Sequence, residues 1–177
     1  MTDIIHAFRA AKGSQKVTFE TLNMQSICPC CGMAGVNTSV EEQKFCMVCA
    51  PAYGVDEPDV DTVSVIIWLP HLDQGLLSRL LCSAYAARFV SSPVCTPEVV
   101  MASRSYDILA ELEALRSEAK RRIGTDCVSV LRKLIPNIPQ LSLFQRGIHL
   151  SGLRILPLGS WFDIHAEDFR KLIAARN

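Results

Sequence analysis

Cys28-Pro29-Cys30-Cys31-Gly32, answered by Cys46-Met47-Val48-Cys49, is the stretch that decides how this chain folds. Cys28 and Cys31 make one C-x2-C pair and Cys46 and Cys49 a second, with the fourteen residues from Gly32 to Phe45 between them. A loop of that length can turn back as a hairpin and bring four sulfurs to one point, which is the signature of a structural Zn2+ site. Two residues between cysteines let a tight turn aim both thiolates at one ion, and Gly32 can take the positive φ that closes it. Four thiolates leave no open position for water, so such an ion holds structure and does no chemistry. Cys30 could pair with Cys28 instead, but one intervening residue clamps a tetrahedral ion poorly, and Cys30 reads as a bystander thiol. The competing reading is four buried free cysteines.

The 177 residues fit one domain with a small appended module, and a chain of this size can bury about 70% of its unfolded surface. Apolar residues make up 49% and charged residues 20%, a greasy balance that points to a permanent partner. Eight cysteines raise the question of a secreted scaffold. Asp3, His6 and Arg9 interrupt the first ten residues, so no signal-peptide core is expected there. The apolar run from Val63 to Pro70 is too short to span a bilayer. These features place the chain in the cytoplasm, where thiols stay reduced and available to metal. Charge is balanced overall but tilted: four basic against eight acidic groups in residues 1–61, and twelve against eight in residues 104–177. That is not the footprint of a nucleic-acid binder, which is usually strongly basic.

Working outward from the cysteines, Thr2–Lys12 reads as a short helix stopped by Gly13, and Val17–Leu22 as a strand leading to the first pair. The loop from Met33 to Phe45 is expected to turn through Gly35 and Asn37. Asp56-Glu57-Pro58-Asp59-Val60-Asp61 lacks the central Gly and closing Glu of a calcium loop and reads as a solvated linker. Thr62–Leu69 is a buried strand, and Asp73 caps a helix to Phe89 with a stripe of Leu76, Leu77, Leu80, Leu81 and Ala84. Ser91–Pro97, with Cys95, is a connector. Ser103–Ile123 is a long helix with Tyr106, Leu109, Leu112, Ala119 and Ile123 inward and a Glu118–Arg122 pair outward. Asp126 is placed as cap of the next helix, with Cys127, Leu131, Leu134 and Ile135 in line before Pro136. Leu153–Leu156 is strand-like, and a last helix from about Asp163 buries Phe169, Leu172 and Ile173. The fold class is therefore α+β. A zinc-stabilised unit with a β-hairpin (1–61) precedes a strand and a mainly four-helix part (62–177), packed as one compact unit.

The imidazoles are His6, His71, His149 and His165. A one-metal nuclease on a ββα scaffold needs a His base and further ligands. His71, between a strand and a helix, is the best candidate, but no second His or Asn follows at metal spacing. There is no phosphate-binding glycine loop, nucleophile elbow or dinucleotide fingerprint. Cys30 has no His partner placed by sequence to make it a nucleophile. The aromatic and arginine side chains Trp68, Arg79, Tyr85, Arg88 and Phe89 are of the types that dominate interfaces, and they mark the Asp73 helix as the expected partner surface.

The order of these features resembles the DotN (IcmJ) family of Dot/Icm-type, or type IVB, secretion and conjugation systems. The carrying residues are the two cysteine pairs and Val65-Ile66-Ile67-Trp68-Leu69-Pro70-His71-Leu72-Asp73-Gln74, continued by Leu76–Ala86 with Cys82 inside it. Ala119–Asp126, Leu131–Ile135, Leu153–Pro157 and Phe169-Arg170-Lys171 complete the set, so the resemblance runs from about residue 17 to 176. The chain departs from the family in a shorter segment between the pairs and in the extra thiol of Cys30. The resemblance implies a non-catalytic zinc protein, similar in scaffold to HNH (treble-clef-like) nucleases but without their catalytic histidine. Such a protein sits in a cytoplasmic coupling complex, docked on the coupling ATPase that receives substrates. An HNH-like metal-dependent nuclease and a zinc-ribbon nucleic-acid-binding or regulatory protein are the alternatives.

Overall fold

Eleven residues of alternating character, Val17–Ile27, form β1, which runs into the first cysteine pair. The computed structural model describes Phe8 and residues 13–88, 97–137 and 150–176. Apart from the buried Phe8, the expected N-terminal helix lies outside these residues, as do Phe89 and the Cys95 connector. β1 pairs antiparallel with β2 (Ala34–Val40), and β2 with β3 (Gln43–Phe45). β1 runs further than the expected Val17–Leu22 because it carries extra residues against β2, between Phe19 and Asn23 and again between Asn23 and Ile27. The first irregularity coincides with two successive exposed residues, Glu20 and Thr21, and returns Leu22 and Met24 to the half-buried face.

The hairpin turn is not at Gly35 and Asn37. It falls at Glu41-Glu42, where Glu41 takes the left-handed region at φ 53°. The two turn-formers serve packing and polarity inside β2 instead. A Cβ on Gly35 would meet Leu172 Cδ1 at 2.8 Å, and buried Asn37 accepts the Met47 N–H at 2.8 Å.

The acidic stretch is likewise not a solvated linker. The Asp56 carboxylate is almost wholly buried, accepts the N–H groups of Gly13 and Gln15, and pairs with Arg132. Asp61 accepts the backbone N–H and hydroxyl of Ser129, and Glu57 accepts the Val17 N–H. Acidic residues that look solvated in sequence thus tie the start of β1 to a C-terminal helix. Val60–Val63 adds a helical turn (α1) before β4 (Ser64–Trp68).

β4 pairs antiparallel with β5 (Leu153–Pro157), from Ser64 opposite Pro157 to Trp68 opposite Leu153. Ser64 to Ile67 are all buried, as expected for a strand covered on both faces. The outer side of β5 is finished by a side chain: the Gln74 amide donates to the Ile155 carbonyl at 2.8 Å and accepts its N–H at 3.0 Å. This replaces a strand with one residue and leaves no orphan backbone groups at Ile155.

Helix α2 (Gln74–Arg88) starts where expected, with Asp73 Oδ1 accepting the Leu76 N–H at 2.7 Å. Its buried face is rotated from the leucine stripe: Gln74, Gly75, Leu77, Ser78, Leu81, Ala84 and Tyr85 face inward, while Leu76 is 45% exposed. Small Gly75 and Ser78 let the helix approach the cysteine module, a signal that hydrophobic periodicity does not carry. Tyr85, expected on the partner surface, is core and stacks on Phe162 at 3.9 Å.

The expected long helix is two, α3 (Pro97–Ala114) and α4 (Arg116–Ile123), interrupted at Leu115. There the Leu115 carbonyl accepts both the Ala119 and the Trp68 N–H, so the break sits at the end of β4. Leu109, Leu112 and Ala119 are buried as expected, but Tyr106 is exposed. Glu118 pairs with Arg122, and with Arg121 as well.

Asp126 does not cap α5 (Val128–Leu134); Cys127 holds that position, and Thr125 Oγ1 accepts its N–H. Val128, Leu131 and Ile135 are buried there, whereas Leu134 is exposed. Asp126 is buried and paired with Arg116 at 2.7 Å and Lys120 at 3.3 Å. Burial pushes its carboxyl up, but the two cations outweigh that and hold it below the ordinary aspartate range. A depressed folded value means that the pairing is fully stabilising above the unfolded value near pH 4 and is lost as pH falls through the folded one. Asp126→Asn is expected to cost about 1–2 kcal/mol at pH 7, moderated because Arg116 and Lys120 keep contact with water. Urea midpoints of the two proteins should differ most at neutral pH and converge toward pH 2.

The last expected helix, from about Asp163, is α7 (Ala166–Arg176), and an unexpected short helix, α6 (Gly159–Ile164), precedes it across His165. Six α-helices therefore follow Asp73 among the described residues, where four helices were expected. α6 buries Trp161 and Phe162, and α7 buries Phe169 and Leu172. The architecture is α+β: a three-stranded antiparallel sheet with the cysteine module, a two-stranded sheet, and helices around them.

Candidate metal centre

β1 ends at Ile27, and the chain then folds back on itself. The Cys28 N–H donates to the Met33 carbonyl at 2.9 Å, and the Gly32 N–H donates to the Cys28 carbonyl at 2.8 Å. Gly32 takes φ 69°, the conformation its lack of a Cβ was expected to permit. β3 then delivers Cys46, whose carbonyl accepts the N–H groups of Cys49 and Ala50. Ala50–Ala52 continues as one 3-10 turn. A turn, a hairpin and a helical turn thus present the two pairs in succession.

Cys28, Cys31, Cys46 and Cys49 converge, with their sulfurs all within 4.8 Å of one another. Cys31 Sγ and Cys46 Sγ are 3.7 Å apart. A tetrahedron with metal–sulfur bonds of about 2.3 Å has edges of roughly 3.8 Å, so the spacing suits one tetrahedral ion. Three of the residues are fully buried and Cys31 is 4% exposed. Among the described residues this is the only group of three or more His, Cys, Asp or Glu side chains close enough to share an ion.

Four sulfurs this close cannot all carry charge without a cation. Cys28 is pushed toward thiolate by the donation it receives from Cys31, and Cys46 and Cys49 are pushed up because they donate to Cys28. The backbone N–H of Cys46 adds a further donor to Cys28 Sγ at 3.4 Å. A divalent ion held by such a donor set would ionise all four thiols.

Two later elements, α2 and α6, brace the module. Trp161 Nε1 on α6 donates to the Met47 carbonyl at 2.9 Å, and Arg79 Nε on α2 donates to the Cys31 carbonyl. Gly75 packs directly on the first turn, where an added Cβ would lie 2.2 Å from the Cys30 carbonyl oxygen. Gly75→Ala would gain about 1 kcal/mol of helix propensity. The obstacle is backbone, so the clash should outweigh that gain and leave a net loss of about 1–3 kcal/mol. A lowered melting temperature checks the sign.

Cys30 stays outside the four, half-buried, with its sulfur beside Cys49 and Tyr53. His71 is exposed on the turn between β4 and α2. His165 is stacked on Phe19 at 4.2 Å and lies against Trp161 at 4.4 Å. His6 and His149 lie outside the described residues. On the expected partner surface, Arg88 of α2 lies between the Tyr85 and Tyr106 rings, and Trp68 at the end of β4 lies beneath Arg122. Trp161 and Arg176 bond to the cysteine module and were not singled out from the sequence. Only their polar tips within apolar surroundings could have marked them.

No family model matches the chain, and no curated protein matches it. Among the described residues, no helix is long and apolar enough to cross a membrane.

Proposed function

We propose that this chain is a non-catalytic zinc-binding adaptor subunit of a type IVB secretion or conjugation coupling complex. In this reading it is cytoplasmic, peripheral to the inner-membrane machinery, and docks on the coupling ATPase to help recruit substrates. The observation that carries the structural half is the closed set of four buried sulfurs at Cys28, Cys31, Cys46 and Cys49. All-sulfur tetrahedral ligation suits Zn2+ and leaves no coordination position for a substrate. The adaptor half rests on the resemblance to the DotN family. It is in keeping with His71, the residue a nuclease would need as base and metal neighbour, sharing no His, Cys, Asp or Glu cluster among the described residues.

Metal analysis of purified protein should give one zinc per chain. Pull-down with the coupling ATPase of the same organism should recover the protein. Failure to bind overturns the adaptor reading and leaves the zinc site standing. Magnesium-dependent cutting of plasmid DNA that disappears in His71→Ala replaces it with the nuclease reading.

A further inference from the structure

Phe19 and His165, stacked at 4.2 Å, each line a separate surface cleft. His165 lines the smaller, of about 200 Å³, where Val63, Trp161 and Ile164 supply apolar wall and Glu57 and Asp59 supply carboxylates. Phe19 lines the larger, of about 500 Å³, which runs between β1 and α7.

The smaller cleft is acidic without an internal counter-charge. Among the described residues neither Glu57 nor Asp59 is paired with a lysine or arginine. Glu57 accepts the Val17 N–H with one oxygen, and Asp59, exposed just ahead of α1, makes no side-chain cap bond there. His165 adds no compensating charge, because burial holds it below the ordinary histidine range and it stays neutral at pH 7. The Trp161 ring is fixed independently, its indole N–H held by the Met47 carbonyl at 2.9 Å. Ile164, which lines the same cleft, is 66% exposed.

We propose that this cleft docks an arginine side chain presented by an extended segment of a partner protein, with the guanidinium at Glu57 and Asp59 and a neighbouring apolar residue on Ile164. The volume falls below the roughly 300–1,000 Å³ of small-molecule sites and suits one long side chain. The charge is complementary, and residues 1–61 as a whole carry eight acidic against four basic groups. Arginine fits better than lysine because its guanidinium is weakly hydrated, pairs with carboxylates and lies against aromatic rings. The larger cleft is balanced instead, with Glu20 paired to Lys44 and Asp168 to Lys171. Its Phe19 and Leu22 offer apolar surface to residues flanking the arginine. The inference is independent of the adaptor reading.

The test titrates the isotope-labelled full-length protein with acetyl-Leu-Arg-Leu-amide and follows the Trp161 indole N–H and the Ile164 amide by NMR. Saturable shifts of both are expected, with a dissociation constant of about 1 mM for so small a ligand. Asp59→Asn should weaken binding about two- to fivefold, the range of an exposed ion pair, while Glu111→Gln on the exposed side of α3 changes nothing. The same peptide with citrulline for arginine keeps the shape without the charge and should bind about tenfold more weakly, because both ion pairs go. No saturable shift, equal binding of the citrulline peptide, or an unchanged constant in Asp59→Asn overturns the proposal. Free arginine that binds as tightly as the peptide also overturns it, since the cleft would then serve the amino acid. Should Asp59→Asn fail to fold, Glu57→Gln, which keeps an acceptor for the Val17 N–H, takes its place with the same expectation.

Discussion

Cys46→Ser is expected to unfold the cysteine module and to reduce bound zinc to a small fraction of one per chain. The expectation follows from how little else holds that module. β3 has three residues and the second pair opens onto a single 3-10 turn, so local backbone bonding is sparse. Cys28, Cys46 and Cys49 are fully buried with their sulfurs turned toward each other rather than toward apolar partners. Structural zinc contributes roughly 10–16 kcal/mol in small metal-stabilised peptides, more than the whole stability of an ordinary domain. A serine oxygen is a far poorer zinc ligand than a thiolate, and the three remaining cysteines would be left crowded around an incomplete site. Loss of the module should spread, because Met47 accepts the Trp161 indole and Cys31 accepts Arg79. Metal analysis and thermal melting of the variant check this. Full zinc content with unchanged melting would sink the assignment. Chelation of the wild type should reproduce the effect, and added Zn2+ should reverse it.

The sequence disclosed the metal site because its information is local. Two C-x2-C pairs and a glycine with φ 69° need only a few neighbouring residues to be read. β4, β5 and the start of α2 were legible for the same reason: short apolar runs bounded by Pro70, and a capping aspartate at Asp73. What failed was whatever depends on a partner distant in the chain. Gly35 and Asn37 have the composition of a turn, but Leu172 and Met47 determine their use. Asp56 looks solvated until Arg132 and the backbone of Gly13 and Gln15 close around it. The inward face of α2 was misplaced by one residue because leucines were counted, whereas Gly75 and Ser78 allow the close approach. The long helix was read through its break at Leu115, where no glycine or proline marks the interruption, and α6 was missed ahead of α7.

Tyr85→Ala is expected to destabilise the protein by about 3–5 kcal/mol, which makes that side chain a core residue and removes it from any docking surface. Tyr85 is 3% exposed and lies 3.9 Å from the wholly buried Phe162 ring, which in turn meets Phe169 edge-on at 4.9 Å. The three rings join α2, α6 and α7, so truncating the first opens a cavity where helices from three parts of the sequence meet. Filling it by collapse would require those helices to shift together, which argues for the upper part of the range. Tyr106 is the internal control. It is the same residue type and shares the same guanidinium, with Arg88 4.9 Å from its ring and 5.3 Å from that of Tyr85, yet it is 56% exposed. Removing it forfeits a surface cation–π contact of about 0.5–1 kcal/mol and opens no cavity. At roughly 2–4 °C per kcal/mol for a chain of this size, Tyr85→Ala should lower the melting temperature by roughly 6–20 °C. Tyr106→Ala should lower it by only about 1–4 °C. Phe162→Ala should match Tyr85→Ala, and the double variant should cost less than the sum because both empty one space. Equal, small effects from all three would show that Tyr85 is not packed where the structure puts it.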